Sequence, residues 1–162
     1  MKNKSTELLM DLQRFARSKN ALTEYYLADV PVLPETEPEW KRLAKYISSV
    51  PDETDEETED TAYYDGDGTP ETDVMGIKKG FAFEGLRDPE DAAQNLVADR
   101  EMTVGDDRKI MLKQVRPNGD TFQGRATVTD IIVSGGDAEE YQPFECTITW
   151  DRLPVKEAVP AG

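Results

Sequence analysis

The chain has 162 residues, 37% of them hydrophobic, with 19 Lys and Arg against 34 Asp and Glu for a formal net charge of -15. That length suits one domain with a thin core and some excess for arms or long loops, and the sign of the charge argues against a protein that grips nucleic acid through its phosphates. There is no histidine, which removes the commonest general base and the commonest transition-metal ligand.

No apolar run approaches a bilayer span, and the opening MKNKSTELLMDLQ lacks the apolar stretch and cleavage site of a secretory signal. The expectation is a protein made in the cytoplasm that stays there until it meets its partners, with no membrane insertion, cofactor or metal. The single cysteine, Cys146, has no internal partner for a disulfide, and its place on an apolar strand face makes it a small core residue.

In chain order, residues 5–18 place Leu8, Leu9, Leu12 and Phe15 at helical spacing behind Ser5 or Thr6 as a cap, and predict a short amphipathic helix within an N-terminal segment, 1–20. Its stripe has two places to dock, its own domain or a neighbouring subunit. Residues 22–33 are rich in strand formers but hold Pro31, which predicts an edge strand or extended arm. Residues 40–48 are ambiguous: Trp40, Leu43, Ala44 and Ile47 fit a helix face, whereas the same stretch also reads as a strand pleat, and periodicity alone favours the helix.

Residues 51–60 read PDETDEETED, without an apolar side chain beyond the proline ring, and predict a mobile acidic loop extending to about residue 62. Asp65-Gly66-Asp67-Gly68-Thr69 imitates the start of a calcium-binding EF-hand loop. Pro70 then stands where the loop needs its glycine and Gly76 where it needs a bidentate glutamate, so a turn built from Asp and Gly is expected. Residues 76–85 predict a strand with Phe81 and Phe83 on one face. Asp88, Pro89 and the acids after them predict a helix over 89–99, Asp88 capping it and Pro89 at its first position, with Ala92, Ala93, Leu96 and Val97 as its buried stripe.

The C-terminal third reads as an antiparallel meander. Residues 109–116 and 121–133 are strands joined through Pro117-Asn118-Gly119-Asp120, where Asn-Gly supplies the positive φ of a tight hairpin, and Ser134-Gly135-Gly136-Asp137 makes the next break. In the closing strand Phe144, Cys146, Ile148 and Trp150 alternate with Glu145, Thr147, Thr149 and Asp151. Leu153 and Pro154 stop it, leaving 155–162 as a contact arm. The candidate core is therefore Trp40, Phe81, Phe83, Leu96, Val97, Val128, Phe144, Cys146, Ile148 and Trp150.

The order of the pieces EWKRLAKYISSV, an acidic insertion, YYDGDG, FAFEGLRDPEDAAQNLV, PNGDTFQGRATV, IIVSGGDAEEYQPF and TITWDRLP, from about residue 39 to 154, resembles the major tail protein, or tail tube protein, of long-tailed (siphovirus-like) phages of Gram-positive hosts. The N-terminal helical stretch lies outside that pattern, and residues 145–154 lack the glycine often found before the final proline. The resemblance implies a mainly β fold with one flanking α-helix, an antiparallel β-sandwich or barrel-like tail-tube domain over 21–154, in which the Trp40 segment is a strand rather than a helix. It implies hexameric rings stacked into a hollow tube within the virion, with tape measure, tail terminator and baseplate proteins as partners, and DNA passing without specific binding.

Under that resemblance, Asp52, Glu53, Asp55, Glu56, Glu57, Glu59 and Asp60 are candidates for a loop that bridges rings, and some of the excess carboxylates for an acidic bore. The alternatives are another phage module of related fold, such as a head decoration, head-tail joining or contractile-injection tube protein. A carboxylate-dependent glycosidase and a carbohydrate-binding module using the tyrosines with Trp40 or Trp150 are the readings from other classes. Acid pairs arise from this composition alone, so no catalytic residue is singled out.

Overall fold

The computed structural model describes residues 17–157. Ten strands and one helix follow a short 3-10 turn at Asn20–Leu22: β1 (Glu24–Asp29), β2 (Lys41–Arg42), β3 (Ile47–Ser49), β4 (Asp55–Thr61), β5 (Glu71–Lys78), β6 (Gly80–Leu86), α1 (Ala92–Ala98), β7 (Lys109–Val115), β8 (Thr121–Ile132), β9 (Pro143–Trp150) and β10 (Val155–Glu157), with a second 3-10 turn at Gly105–Arg108 leading into β7. Eight strands form one antiparallel sheet in the order β2-β1-β7-β8-β9-β6-β3, and β10 adds to β8. β4 and β5 pair only with each other, as a separate two-stranded hairpin.

The register explains where the core lies. Directly paired residues share a face, and the pairs Leu27↔Leu112, Ile110↔Ala126, Val128↔Ile148 and Phe83↔Cys146 run one apolar row after another across the sheet. Those residues, with Phe81, Phe144 and Trp150, are buried in a single cluster, completed by Leu43 and by Ala93, Leu96 and Val97 of α1. Each Val, Leu, Ile or Phe among them contributes about 1.5–3 kcal/mol by leaving water. The buried Trp150 also keeps its donor satisfied, Nε1–H donating to the Leu112 carbonyl at 3.1 Å.

The sheet curls into a half-barrel. Tyr25 of β1 meets Phe81 and Phe83 of β6 edge to face, with ring centroids 5.2 and 5.1 Å apart. Three strands separate β1 from β6, a span of about 19 Å across a flat sheet. Only a sheet bent over its own apolar face brings those rings together. α1 packs on that same face, against β1 and β8.

α1 is anchored by a polar plug. Gln94 is fully buried; its Oε1 accepts from the Asp88 amide at 2.7 Å and Arg87 Nη1 at 3.3 Å, while its Nε2 donates to the carbonyls of Lys45 at 3.1 Å and Leu86 at 3.0 Å. One side chain thus ties the turn before β3, the end of β6 and the helix. Gly85 allows the same junction to close: a Cβ there would stand 2.0 Å from the Tyr46 carbonyl oxygen, and Tyr46 itself takes φ 60°.

Several expectations are corrected. Residues 51–60 are not a loop: from Asp55 onward they form β4, because the backbone donors and acceptors of so polar a strand are met by β5 without any side chain being buried. The strand expected at 76–85 is two, β5 and β6, separated at Lys79. Residues 22–33 do not make the edge strand, since β2 pairs outside β1. The stretch 40–48 is neither a helix nor a continuous strand but β2 and the start of β3 on either side of a turn.

Trp40 is half-buried and outside the core: it stands just before β2, its ring 4.6 Å from the Lys113 ammonium on the sheet face away from the core. α1 begins at Ala92 with Asp91 at its N-cap rather than at Pro89, because Asp88 Oδ1 accepts from the Glu90 amide at 3.0 Å and turns the chain before the helix. At the β7–β8 hairpin only Gly119 takes a positive φ, 91°; Asn118 does not. Residues 155–157 of the expected contact arm fold back as β10, while the helix expected over 5–18 falls almost entirely outside the described residues.

Candidate assembly surfaces

Curling leaves two features open that sequence reasoning placed only in part: the margins of the sheet and its uncovered face. The margins are β2, of two residues, and β3, of three. Between them lies a cleft of about 550 Å³ lined by Asn20, Tyr25, Arg42, Ala44, Ile47 and Val50, where the half-barrel does not close. Among these lining residues Arg42 alone carries a charge, and it pairs with Glu24 at 3.4 Å. Among the described residues no strand pairs outside β2 or β3, and backbone groups at such margins can continue the ladder onto another strand.

The uncovered face is the one opposite α1. Its rows follow from the register: Tyr26↔Lys113↔Gln123, Lys109↔Thr127↔Thr149 and Glu84↔Glu145. It is mostly polar, with Ala28, Met111, Val115, Ala82 and Leu86 among the polar side chains, and its cations are paired. Lys109 Nζ donates to both Asp151 carboxylate oxygens at 3.0 Å and to Thr127 Oγ1 at 2.6 Å, and Thr127 Oγ1 in turn donates to Asp151. Arg125 Nε lies 3.8 Å from Asp151. Burial pushes the Asp151 carboxyl up, and Thr127 and Lys109 more than offset it, holding it below the usual carboxylate range.

The hairpin of β4 and β5 carries most of the residues expected to bridge rings. The structure splits that set. Asp52 and Glu53 belong to the hairpin's root: Asp52 bridges to Phe81 and forms an ion pair with Lys79, and the Glu53 amide donates to the Gly80 carbonyl at 2.9 Å. Asp55, Glu56, Glu57, Glu59 and Asp60 lie on β4 itself, every one exposed. Within the two strands seven carboxylates face a single ammonium, Lys78, and Glu59 sits directly opposite Asp73.

The hairpin is two-faced. Glu56, Thr58 and Asp60 share a side with Ile77, Val74 and Thr72, and there Val74 and Ile77 are 54% and 42% exposed. Asp55, Glu57 and Glu59 share the other with Lys78, Gly76 and Asp73. The EF-hand-like Asp65 to Thr69 run lies in the turn that joins the strands, where Asp67 Oδ1 accepts from the Thr69 amide at 2.9 Å. Among the described residues no group of three or more Cys, Asp or Glu is placed to hold a metal ion.

The candidate core residues other than Trp40 are all buried, Cys146 among them, and burial pushes its thiol up to about 12. What sequence reasoning missed were the arm's strand pairing, the Asp151 network and the Gln94 plug. Gln94 had a signal, a polar residue within the apolar stripe of a helix.

A curled antiparallel sheet with one helix on its inner face and open margins is the fold of proteins built into the tails of phage-like particles. Among solved structures, a chain in the tail of an empty gene transfer agent particle, determined with C6 symmetry, matches with a TM-score of 0.63 and 12% identity, covering 88% of this chain and 100% of that one. A chain of the sheath-tube complex of an extracellular contractile injection system in its extended state matches at 0.54 and 12% identity, over 98% of this chain and 100% of that one. One from the tube-terminating cap of the anti-feeding prophage matches at 0.52 and 14% identity, over 88% and 92%. No protein-family model matches the chain, and no curated protein matches it in sequence. The likeness is one of fold.

Proposed function

We propose that the chain is a structural, non-enzymatic subunit of a phage-type tail tube, closing into hexameric rings that stack into a conduit for genome delivery in a long-tailed virion. The observation that carries the reading is the half-barrel with two short, unfilled margins, in a fold shared with a chain from a C6-symmetric tail. Pairing β3 of one copy beside β2 of the next satisfies both margins at once, a head-to-tail contact that closes when the rotation per subunit divides a full turn. The hairpin arm then reaches beyond its own ring, and the uncovered face lines the bore.

On that face Glu84 and Glu145 stand exposed and opposite each other, and among the described residues neither is in an ion pair. Unpaired carboxylates facing DNA, which bears about one charge per 1.7 Å, keep it from adhering. Tape measure, terminator and baseplate proteins are the partners this role requires, and a phage of a Gram-positive host is the source the sequence resemblance favours.

Negative-stain images of concentrated protein test the proposal. Hollow tubes with six subunits per turn are expected; isolated monomers at every concentration overturn it. The matches to contractile injection systems favour a second reading, a tube that works inside a sheath. Co-assembly with a sheath protein separates the two.

A further inference from the structure

The uncovered sheet face carries four cations, Arg42, Lys109, Lys113 and Arg125, and each is already engaged within the chain. Arg42 pairs with Glu24. Lys113 has its ammonium 4.8 Å from the Tyr26 ring and 4.6 Å from the Trp40 ring. Lys109 and Arg125 share one carboxylate, Asp151, and Arg125 also reaches the exposed Asp106 at 4.0 Å. Glu84 and Glu145, on the same face, are by contrast in no ion pair among the described residues.

The asymmetry is one of pairing rather than of count. A face whose cations are clamped and whose anions are loose presents a repulsive surface to a polyanion, even with Lys and Arg on it. Asp151 matters most because it silences two cations at once, and because its own geometry is set by Thr127, whose hydroxyl lies between Lys109 and the carboxylate.

We propose that Asp151 is a charge-masking residue which keeps Lys109 and Arg125 from binding the phosphates of passing DNA. The inference rests on the tube reading above, in which this face lines the bore. In a ring, each copy that lost the mask would add two phosphate-binding groups, and a stack of rings would multiply them along the duplex. Since the salt dependence of binding grows with the number of phosphates contacted, a weak contact per copy becomes retention in the tube.

The test uses assembled tubes of the full chain, sheared short, mixed with a labelled duplex and pelleted. The variants are D151N and, as a control for net charge, E145Q, which removes the same unit charge from the same face without releasing a cation. At about 50 mM salt D151N tubes should retain at least roughly tenfold more duplex than E145Q tubes, and the excess should disappear by about 200 mM. Adding K109Q and R125Q to D151N should abolish it. T127V, which removes the bridging hydroxyl without changing charge, should move retention the same way by a smaller factor and carries the test should D151N not assemble.

Equal retention by D151N and E145Q tubes, or by T127V and unsubstituted tubes where T127V stands in, overturns the masking role while leaving the tube intact. Failure of the unsubstituted chain to form tubes overturns the tube reading instead.

Discussion

Replacing Gln94 with leucine should be among the most damaging single changes in the domain, although the two side chains are close in volume. The substitution removes the partner of three buried or half-buried backbone groups, the Lys45 and Leu86 carbonyls and the Asp88 amide, and one contact to Arg87. A buried polar group left without a partner costs about 1–3 kcal/mol. Some relief comes from water reaching the Lys45 turn, which lies near the surface, so the net loss should be roughly 3–6 kcal/mol, a large share of the 5–15 kcal/mol that holds a typical domain. Urea unfolding of dilute, unassembled protein, followed by tryptophan fluorescence, reads it as a drop in midpoint at unchanged slope.

Gln114 supplies the contrast. It too is buried, at 6% exposed, but its Oε1 has no partner and its amide reaches only the Tyr25 hydroxyl at 3.5 Å. Q114L should therefore be neutral within about 1 kcal/mol or stabilising. Equal losses for Q94L and Q114L would refute the argument that satisfied bonds, rather than burial of an amide as such, hold this junction.

Three further outcomes follow from the same structure. G85A should destabilise by at least about 2 kcal/mol, since its Cβ would overlap the Tyr46 carbonyl; a shift in melting temperature within error would refute the close approach. Cys146 should resist maleimide in the folded chain and react on unfolding, because burial both shields the thiol and pushes its pKa up to about 12. At Asp52, burial pushes the carboxyl up and Lys79 and Thr54 more than offset it, so its folded pKa lies below the ordinary value; Asp151 behaves likewise. A depressed folded pKa gives stability that is complete above the unfolded pKa, about 3.9, and lost as pH falls through the folded one. D52N and D151N should each flatten the acid limb of stability against pH below about 4, and a limb unchanged in both would count against the two ion pairs.

What could be read from the sequence divides along burial. β9 was legible because one face is buried and the other is not, so Phe144, Cys146, Ile148 and Trp150 had to alternate with polar residues. The same holds for Phe81 and Phe83. β4 left no such trace. All but the last of its residues are exposed, so no hydrophobic period exists to detect, and its strand character comes wholly from β5, ten residues further on. Trp40 failed for a related reason: hydrophobicity predicts removal from water but not which side of a sheet supplies the contact, and here the Lys113 ammonium lies over its ring on the face away from the core. Between residues 40 and 48 helical period and strand pleat were both present because the chain there is too short in either state, two residues of β2 and three of β3, to impose one.

The arm raises the question of what makes it worth keeping as a hairpin. Two strands alone are marginal in water, and this pair opposes Glu59 to Asp73 and places seven carboxylates around one ammonium, a pattern that weakens pairing. The body has the opposite character: most of its strand cations have partners, its one helix is plugged by Gln94 and its core is covered, its exposed apolar side chains standing in turns and at strand ends. Stability is thus concentrated in the half-barrel, while the arm spends it, holding Val74 and Ile77 exposed on one side and the acids on the other. A segment so costly to its own chain is accounted for when something outside the chain covers it, and a subunit that repeats along an axis supplies that cover in every copy but the last. The short margins of the sheet obey the same logic at right angles to it, which is why the tube proposed above would account for the arm and the open half-barrel together.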